Sequence, residues 1–205
     1  MTSNSDLRAL ALVCSLKPTP AESSSELMAQ QVIDALGEHG VDSECVRVVD
    51  HEIHPGVKPD MGKGDEWPWL REKLRLADIL ILSTPTWVGH MSSVAQRVLE
   101  RLDAELSETD EQGRPSMYGK VAVAAVVGNE DGAHKIVADT FQALNDIGFT
   151  IPAQGSTYWN GEAMHPKDYV ELAETPKAVA STTKSLAANA AHLARLLKAQ
   201  QYPAD

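Results

Sequence analysis

Hydrophobic positions along the chain follow two alternating patterns. Short runs of consecutive apolar residues are typical of strands covered on both faces of a sheet, whereas apolar residues recurring every three to four positions are typical of amphipathic helices. The apolar runs predict five strands, at residues 7–14, 44–49, 78–83, 121–127 and 149–153. A helical stripe follows each run, and the stripes predict helices near residues 24–36, 67–74, 94–106, 137–147 and 176–197.

This alternation predicts the fold class. Strand–helix repeats form a parallel sheet with helices on both faces. We therefore expect a doubly wound α/β fold of three layers, with five parallel strands in the order 2-1-3-4-5. The 205 residues fit one domain. We place that domain at residues 7–200, between a disordered N-terminal tail at 1–6 and a C-terminal tail at 201–205.

The predicted strand order also predicts the place of a ligand site. Ligands of doubly wound sheets bind beyond the carboxyl ends of the strands, where the strand order reverses. The loops after strands one, three and four lie side by side at that point. These loops are residues 15–22, 84–92 and 128–132, and their side chains should decide the function.

The first loop is rich in hydroxyl groups and ends at a helix N-terminus. Ser23 and Glu26 have the spacing of a capping box. Unpaired backbone N–H groups and the helix dipole favour an anion there, so a phosphate is the predicted ligand. An ordinary capped helix entry would explain the same residues. Neither a Gly-x-Gly-x-x-Gly motif nor a complete Walker A motif occurs in the chain.

The second loop combines a proline, a tryptophan and a glycine, at Pro85, Trp87 and Gly89. Proline fixes the backbone, and glycine lets the chain approach a flat ligand closely while Trp87 covers the flank of the ligand. The alternative is a rigid loop in which Trp87 fills the core. His90 is the first candidate among the histidines because it lies inside this loop, although a lone histidine is more often simply solvated.

Residues 85–91, Pro-Thr-Trp-Val-Gly-His-Met, resemble the flavin-ring loop of the flavodoxin-like quinone reductases of the tryptophan-repressor-binding-protein type, and the corresponding loop of NADPH-dependent FMN reductases. The resemblance extends over residues 8–198. It implies a flavodoxin-like fold, with FMN as cofactor and NAD(P)H as co-substrate. The cofactor-binding residues that it implies are Ser15, Lys17, Ser23, Ser24, Ser25, Pro85, Thr86, Trp87, Val88, Gly89, His90, Gly128, Asn129, Glu130, Asp131 and Gly132.

The sequence departs from these families at two loops. Glu130 and Asp131 stand where related proteins usually have small residues, and carboxylates beside the ring would oppose an anionic reduced flavin and lower its potential. Asp131 could instead be the N-cap of the following helix. Cys14 and Ser15 replace the usual Gly-Ser pair, and we expect Cys14 to be a small core residue rather than a redox centre.

We therefore expect an FMN-binding oxidoreductase that passes hydride from NAD(P)H through FMN to a quinone, a free flavin or a similar small-molecule acceptor. The flavin does the chemistry, so no catalytic side chain is required, and His90 is the one candidate. A flavodoxin-type electron carrier without a nicotinamide site remains an alternative, as does a scaffold that has lost FMN. The resemblance implies a homodimer or homotetramer, with candidate interface aromatics at Trp67, Trp69 and Trp159.

Residues 158–165, which follow the fifth predicted strand, mix aromatic and polar side chains. They could form a rim over the cofactor, a subunit contact or an irregular surface segment.

Charge and composition exclude other functions. The chain has 18 Lys and Arg against 29 Asp and Glu, a net charge of −11, which argues against binding to nucleic acid. It does not exclude one phosphate held by hydroxyls and a helix N-terminus. The longest apolar run, seven residues at 121–127, is too short to cross a bilayer, and the N-terminus lacks the pattern of a signal peptide. We expect a cytoplasmic protein without a membrane partner.

Other chemistry has little support in the sequence. No Gly-x-Ser-x-Gly motif of a hydrolase occurs, and residues 51–54, His-Glu-Ile-His, lack the spacing of a zinc protease motif, so we expect no metal site. Cys14 and Cys45 both lie in apolar runs. We expect two buried thiols rather than a disulfide.

Overall fold

The computed structural model describes residues 7–162 and 167–204. Its strands are β1 (Leu7–Val13), β2 (Val41–Arg47), β3 (Ile79–Trp87), β4 (His90–Met91), β5 (Val121–Gly128) and β6 (Ser156–Asn160). Its α-helices are α1 (Ser24–Gly37), α2 (Trp67–Leu76), α3 (Ser93–Leu102), α4 (Ala133–Ile147) and α5 (Lys177–Ala199). Short 3-10 turns lie at Val48–Asp50, Asp103–Ser107 and Tyr169–Glu171.

Five of these strands form a parallel sheet in the order β2-β1-β3-β5-β6. The short β4 pairs only with the end of β3, in the antiparallel direction. Apart from β4, the observed order is the predicted 2-1-3-4-5, and the doubly wound α/β prediction is confirmed. The carboxyl ends of β1, β3 and β5 therefore lie next to one another.

The core has two halves, one on each face of the sheet. Successive side chains of a strand point to opposite faces, so Ala11 and Val13 of β1 pack with α1 and α5, whereas Leu12 and Cys14 pack with α2, α3 and α4. Because apolar side chains cover both faces, the strands contain the continuous apolar runs from which they were predicted.

The prediction of the fifth strand was wrong by several residues. The sheet strand is β6, at Ser156–Asn160, whereas residues 149–153 make a single bridge, from Thr150 to Val121. Phe149 is buried as a loop residue, and an apolar run of this length does not by itself distinguish a strand from a buried loop. Tyr158 and Trp159, which were expected after the strand, belong to it.

Several helix and strand ends also differ from the prediction; for example, β3 continues to Trp87 instead of ending at residue 83, and α3 ends at Leu102 instead of residue 106. Gly132, at a φ of 130°, precedes α4, so Asp131 is not its N-cap. Helix α5 begins at Lys177, one residue later than expected, and Thr175 accepts a hydrogen bond from Gln31. β2 covers Val41–Arg47 instead of residues 44–49, and the backbone turns into a 3-10 conformation from Val48.

Burial agrees with the prediction for one cysteine only. Cys14 is buried, but Cys45 is exposed because β2 is an edge strand that the helices cover incompletely. Trp67, the first residue of α2, is fully buried in the core, which excludes it as an interface residue, whereas Trp69 is 44% exposed. Within the described residues, no helix has the length and apolar character needed to span a membrane.

The two predicted tails are only partly described. Residues 1–6 lie outside the described residues. Residues 201–204 have no regular secondary structure, yet Tyr202 packs against Tyr118 at 5.3 Å between ring centroids, and its hydroxyl lies 3.0 Å from that of Thr150. The division into a domain at 7–200 and two tails stays a prediction.

Candidate active site

A cleft of about 280 Å³ opens at the carboxyl ends of β1, β3 and β5. The three loops predicted to lie together form its walls, with a fourth wall from the segment after β6. The predicted site residues on the cleft are Ser15, Lys17, Ser23, Ser24, Ser25, Pro85, Thr86, Trp87, Gly128, Asn129 and Glu130.

Five predicted residues do not line this cleft, namely Val88, Gly89, His90, Asp131 and Gly132. His90 is exposed and lies on a separate surface groove, where its Nδ1 is 2.7 Å from the carbonyl oxygen of Val88. His90 is therefore close in sequence to residues that line the cleft, but its side chain lies outside the cleft. Seven further residues line the cleft and were not among the predicted site residues. They are Leu16, Glu22, Val127, Trp159, Asp168, Tyr169 and Val170.

The N-terminus of α1 forms one end of the cleft. Ser23 caps the helix, since its Oγ accepts a hydrogen bond from the N–H of Glu26 at 3.2 Å, and Ser15 Oγ accepts one from Lys17 N–H at 3.1 Å. Helix geometry leaves the N–H groups of Ser24 and Ser25 without an intrahelical acceptor. Hydroxyls and unpaired N–H groups at a helix N-terminus are an anion-binding arrangement.

Arg47, at the end of β2, holds this loop from behind. Its guanidinium donates to the carbonyl oxygens of Ala21 and Lys17, at 2.8 and 3.3 Å, and pairs with Glu26. The Glu26 carboxylate therefore pairs with Arg47 and does not complete the predicted capping box, of which only the Ser23 cap forms. Asp50 restrains the same loop, because its carboxylate accepts hydrogen bonds from the N–H and the hydroxyl of Thr19, at 2.8 and 2.6 Å. No sequence motif indicated either contact.

The opposite end of the cleft is built on a β-hairpin. β3 continues to Trp87, which pairs with His90 of β4, and Val88 and Gly89 form the turn. Trp87 lines the cleft and is 53% exposed. Glu130, from the loop after β5, accepts hydrogen bonds from the N–H groups of Val88 and Gly89, at 2.8 and 3.1 Å.

Glycines let the hairpin and the loop after β5 approach each other. A Cβ on Gly128 would lie 2.7 Å from Thr86 Cβ, and a Cβ on Gly132 would lie 2.9 Å from the Cα of Gly89. Such contacts are closer than side chains tolerate. Packing therefore requires glycine at both positions, whatever the ligand.

The fourth wall, after β6, is held by polar contacts. Asn129 donates to Asp168 at 2.8 Å, and the N–H of Val170 donates to Ser24 Oγ at 3.2 Å. The rings of Trp159 and Tyr169 lie 5.4 Å apart between centroids. Asp168 and Glu171 form a capping box, and this Asp-x-x-Glu spacing was the one sequence signal that could have located the turn.

Electrostatics at the cleft depend on neutral donors more than on cations. Lys17 is its single cationic side chain among the described residues, against Glu22, Glu130 and Asp168. The carboxylates of Glu130 and Asp168 already accept hydrogen bonds. Burial raises the pKa of the Cys14 thiol, so this residue at the end of β1 stays protonated and unreactive near neutral pH.

A family model described as NADPH-dependent FMN reductase matches residues 7–164. The chain belongs to this family. It is 31% identical to the 8-demethyl-8-aminoriboflavin-5'-phosphate synthase of Streptomyces davaonensis, over 97% of this chain and 81% of that protein. It is also 35% identical to the protein named divalent metal cation transporter MntH of Mycobacterium bovis, over 94% of this chain but only 29% of that protein.

Solved structures agree with the family assignment. The crystal structure of RosB with the bound intermediate 8-demethyl-8-formylriboflavin-5'-phosphate has a TM-score of 0.89 and 31% identity, and covers 96% of this chain and 82% of that chain. The Trp repressor binding protein from Bacillus subtilis has a TM-score of 0.58 at 14% identity, covering 87% of this chain and 96% of that chain, and shares the fold alone. The predicted resemblance and the flavodoxin-like fold are confirmed, and the chain is an enzyme of the FMN reductase family.

The residues of the cleft fit FMN. Thr86 Oγ1 is buried on the cleft wall and has no hydrogen-bond partner among the described residues. The α1 end offers hydroxyls and N–H groups suited to a phosphate, and the Trp87 end offers a flat, open aromatic wall suited to a ring. One end therefore suits the phosphate of FMN and the other its isoalloxazine ring.

Proposed function

We propose that this chain binds FMN in the cleft and passes hydride from NAD(P)H to a small-molecule acceptor such as a quinone or a free flavin. The observation that supports this proposal is the pairing, in one cleft, of a hydroxyl-lined helix N-terminus with an open aromatic wall. A phosphate at the first end leaves the ring at the second, where Trp87 is 53% exposed and a second flat molecule could stack.

The proposal gives each wall of the cleft a role. Ser15 and the serines at 23–25 hold the phosphate, and Pro85, Thr86 and Trp87 border the ring. FMN would supply the two-electron chemistry that no side chain of this cleft provides. His90 lies outside the cleft, and Glu130 is engaged by two backbone N–H groups, so the protein's part is binding and orientation.

Flavin binding and nucleotide oxidation test this proposal in sequence. Titration of FMN into flavin-free protein is expected to quench flavin fluorescence with saturation. The loaded protein is then expected to oxidise NADH or NADPH faster when a quinone is added, with flavin-free protein as the control. Loaded protein inert to both nucleotides would instead support an electron carrier, and failure to bind FMN would support a scaffold without cofactor.

A flavin phosphate as substrate is the second candidate function. It is favoured by the similarity to a synthase named for a modified riboflavin 5'-phosphate, over 97% of this chain and 81% of that protein, and to RosB with a related intermediate bound. The same cleft would serve, with the phosphate at the α1 end. Mass spectrometry of the flavin that co-purifies distinguishes the two roles. An 8-formyl or 8-amino derivative supports a substrate, whereas FMN that stays unaltered while the loaded protein turns over NAD(P)H supports a cofactor.

We further propose that the protein is a homodimer or homotetramer in the cytoplasm. Trp69 supports an exposed contact surface. It is 44% exposed, its ring lies 4.6 Å from the His51 ring between centroids, and Lys73 Nζ is 4.8 Å from its ring centroid. Sedimentation velocity of the FMN-loaded protein is expected to give two or four times the chain mass. The chain mass alone would contradict the proposal.

A further inference from the structure

The tip of the hairpin has an unusual backbone. Val88 and Gly89 are both in the left-handed region, at φ values of 54° and 71°. A two-residue hairpin turn of type I′ needs positive φ at both central positions, which normally hold glycine, asparagine or aspartate. Valine rarely adopts this conformation, because its β-branched side chain crowds the backbone. Something outside the turn must therefore hold Val88 in place.

Glu130 supplies that restraint. Its two carboxylate oxygens each accept one hydrogen bond, from Val88 N–H at 2.8 Å and from Gly89 N–H at 3.1 Å. Consecutive N–H groups that converge on one anion form a strong, charge-assisted arrangement. The contact joins the loop after β5 to the hairpin tip, and Gly132 packs against Gly89 beside it. Asp131 is exposed and does not line the cleft.

Trp87 directly precedes this turn and pairs with His90 across it. The turn therefore fixes the relative position of Trp87 in β3 and His90 in β4, and with it the position of the Trp87 side chain. We propose that Glu130 is a positioning residue: it holds the hairpin tip through both carboxylate oxygens and so sets the Trp87 ring at the open end of the cleft. The importance of this ring for activity rests on the proposed function, but the restraint itself does not.

The proposal also explains why a carboxylate can stand beside a ring-binding cleft in an acidic chain. The two N–H groups compensate part of the Glu130 charge. They are also occupied by Glu130, so the polar edge of a bound ring is left to other donors and acceptors of the cleft. Removing Glu130 is therefore expected to change the flexibility of the tip before it changes any chemistry.

Amide hydrogen exchange in flavin-free protein tests the restraint directly. In Glu130→Ala, the amides of Val88 and Gly89 are expected to exchange about tenfold faster or more, because a charge-assisted hydrogen bond has been removed. Glu130→Gln keeps one acceptor oxygen and the side-chain shape, so an intermediate increase is expected. Asp131→Asn removes the same unit charge without touching the hairpin, and its exchange rates should match those of the unaltered protein. Unchanged exchange in both Glu130 variants would overturn the proposal.

Steady-state kinetics of the FMN-loaded variants form the second readout. With Trp87 displaced, the KM for the electron acceptor is expected to rise more than kcat falls. Val88→Gly in the Glu130→Ala background should reverse part of the rise, because glycine adopts the left-handed turn unaided. A Glu130→Ala variant with an unaltered KM would contradict the role of Trp87. Unaltered protein that fails to bind FMN would contradict the proposed function alone, since the exchange experiment needs no flavin.

Discussion

Replacing Arg101 with alanine is expected to lower the free energy of unfolding by about 3–5 kcal/mol, because it leaves a buried carboxylate without its partner. The side chains of Arg101 and Asp65 are both fully buried and form an ion pair at 2.8 Å. The guanidinium also donates to the carbonyl oxygens of His54 and Lys58, each at 2.8 Å. The Arg101 side chain of α3 thus holds the loop that precedes α2 in place.

Urea denaturation monitored by circular dichroism measures this loss. Lys135→Ala is the matched control, because Lys135 pairs with Asp139 on the exposed surface of α4, and surface pairs contribute little. Asp65→Asn combined with Arg101→Ala should lose less than the two single changes added together, since it removes both charges. A loss below about 1 kcal/mol for Arg101→Ala would contradict the prediction.

The pH dependence of stability gives a further check on the same pair. Burial raises the pKa of Asp65, but hydrogen bonds from Met61 N–H, Arg101 and two other backbone N–H groups outweigh it and lower the pKa to about 2. The folded protein therefore binds this proton less readily than the unfolded chain. The stabilisation is present above the ordinary aspartate pKa and is lost as the pH falls through about 2. Arg101→Ala should weaken this dependence.

Replacing Arg47 with methionine is expected to weaken FMN binding about 10- to 100-fold, because small displacements of a binding loop have effects of this size. Arg47 does not line the cleft; it positions the loop that does, through the carbonyl oxygens of Lys17 and Ala21. Riboflavin lacks the phosphate, so its affinity should change little. Stability should fall less than in Arg101→Ala, since Glu26 is 43% exposed and can be hydrated.

Parallel fluorescence titrations with FMN and riboflavin measure the difference. Arg114→Met is the matched control: it removes one positive charge from an ion pair with Asp110 and lies away from the cleft. It should leave both affinities unaltered, which separates loop positioning from the overall charge of −11. Equal losses of FMN and riboflavin affinity in Arg47→Met would indicate general disruption of the cleft and contradict a role specific to the phosphate loop.

The ring loop illustrates the limit of local sequence patterns. Residues 85–91 were recognised from their order, and Pro85, Thr86 and Trp87 do line the cleft. The same pattern included His90, which the hairpin places on another surface. A motif gives the sequence of side chains, but the backbone turn at Val88 and Gly89 decides which of them point into the cleft.

The sequence by itself determined the α/β layers, the strand order and the three loops that meet at the ligand site. Strand and helix periods are local, and the carboxyl ends of parallel strands meet at one edge wherever the strand order is known. Only the tertiary structure decided the contacts of Arg47 with the first loop, of Glu130 with the hairpin and of Asp168 with Asn129. These contacts join residues 26 to 42 positions apart. The packing of whole helices and strands determines which residues meet in these contacts, and such long-range pairing produces no periodic pattern in the sequence.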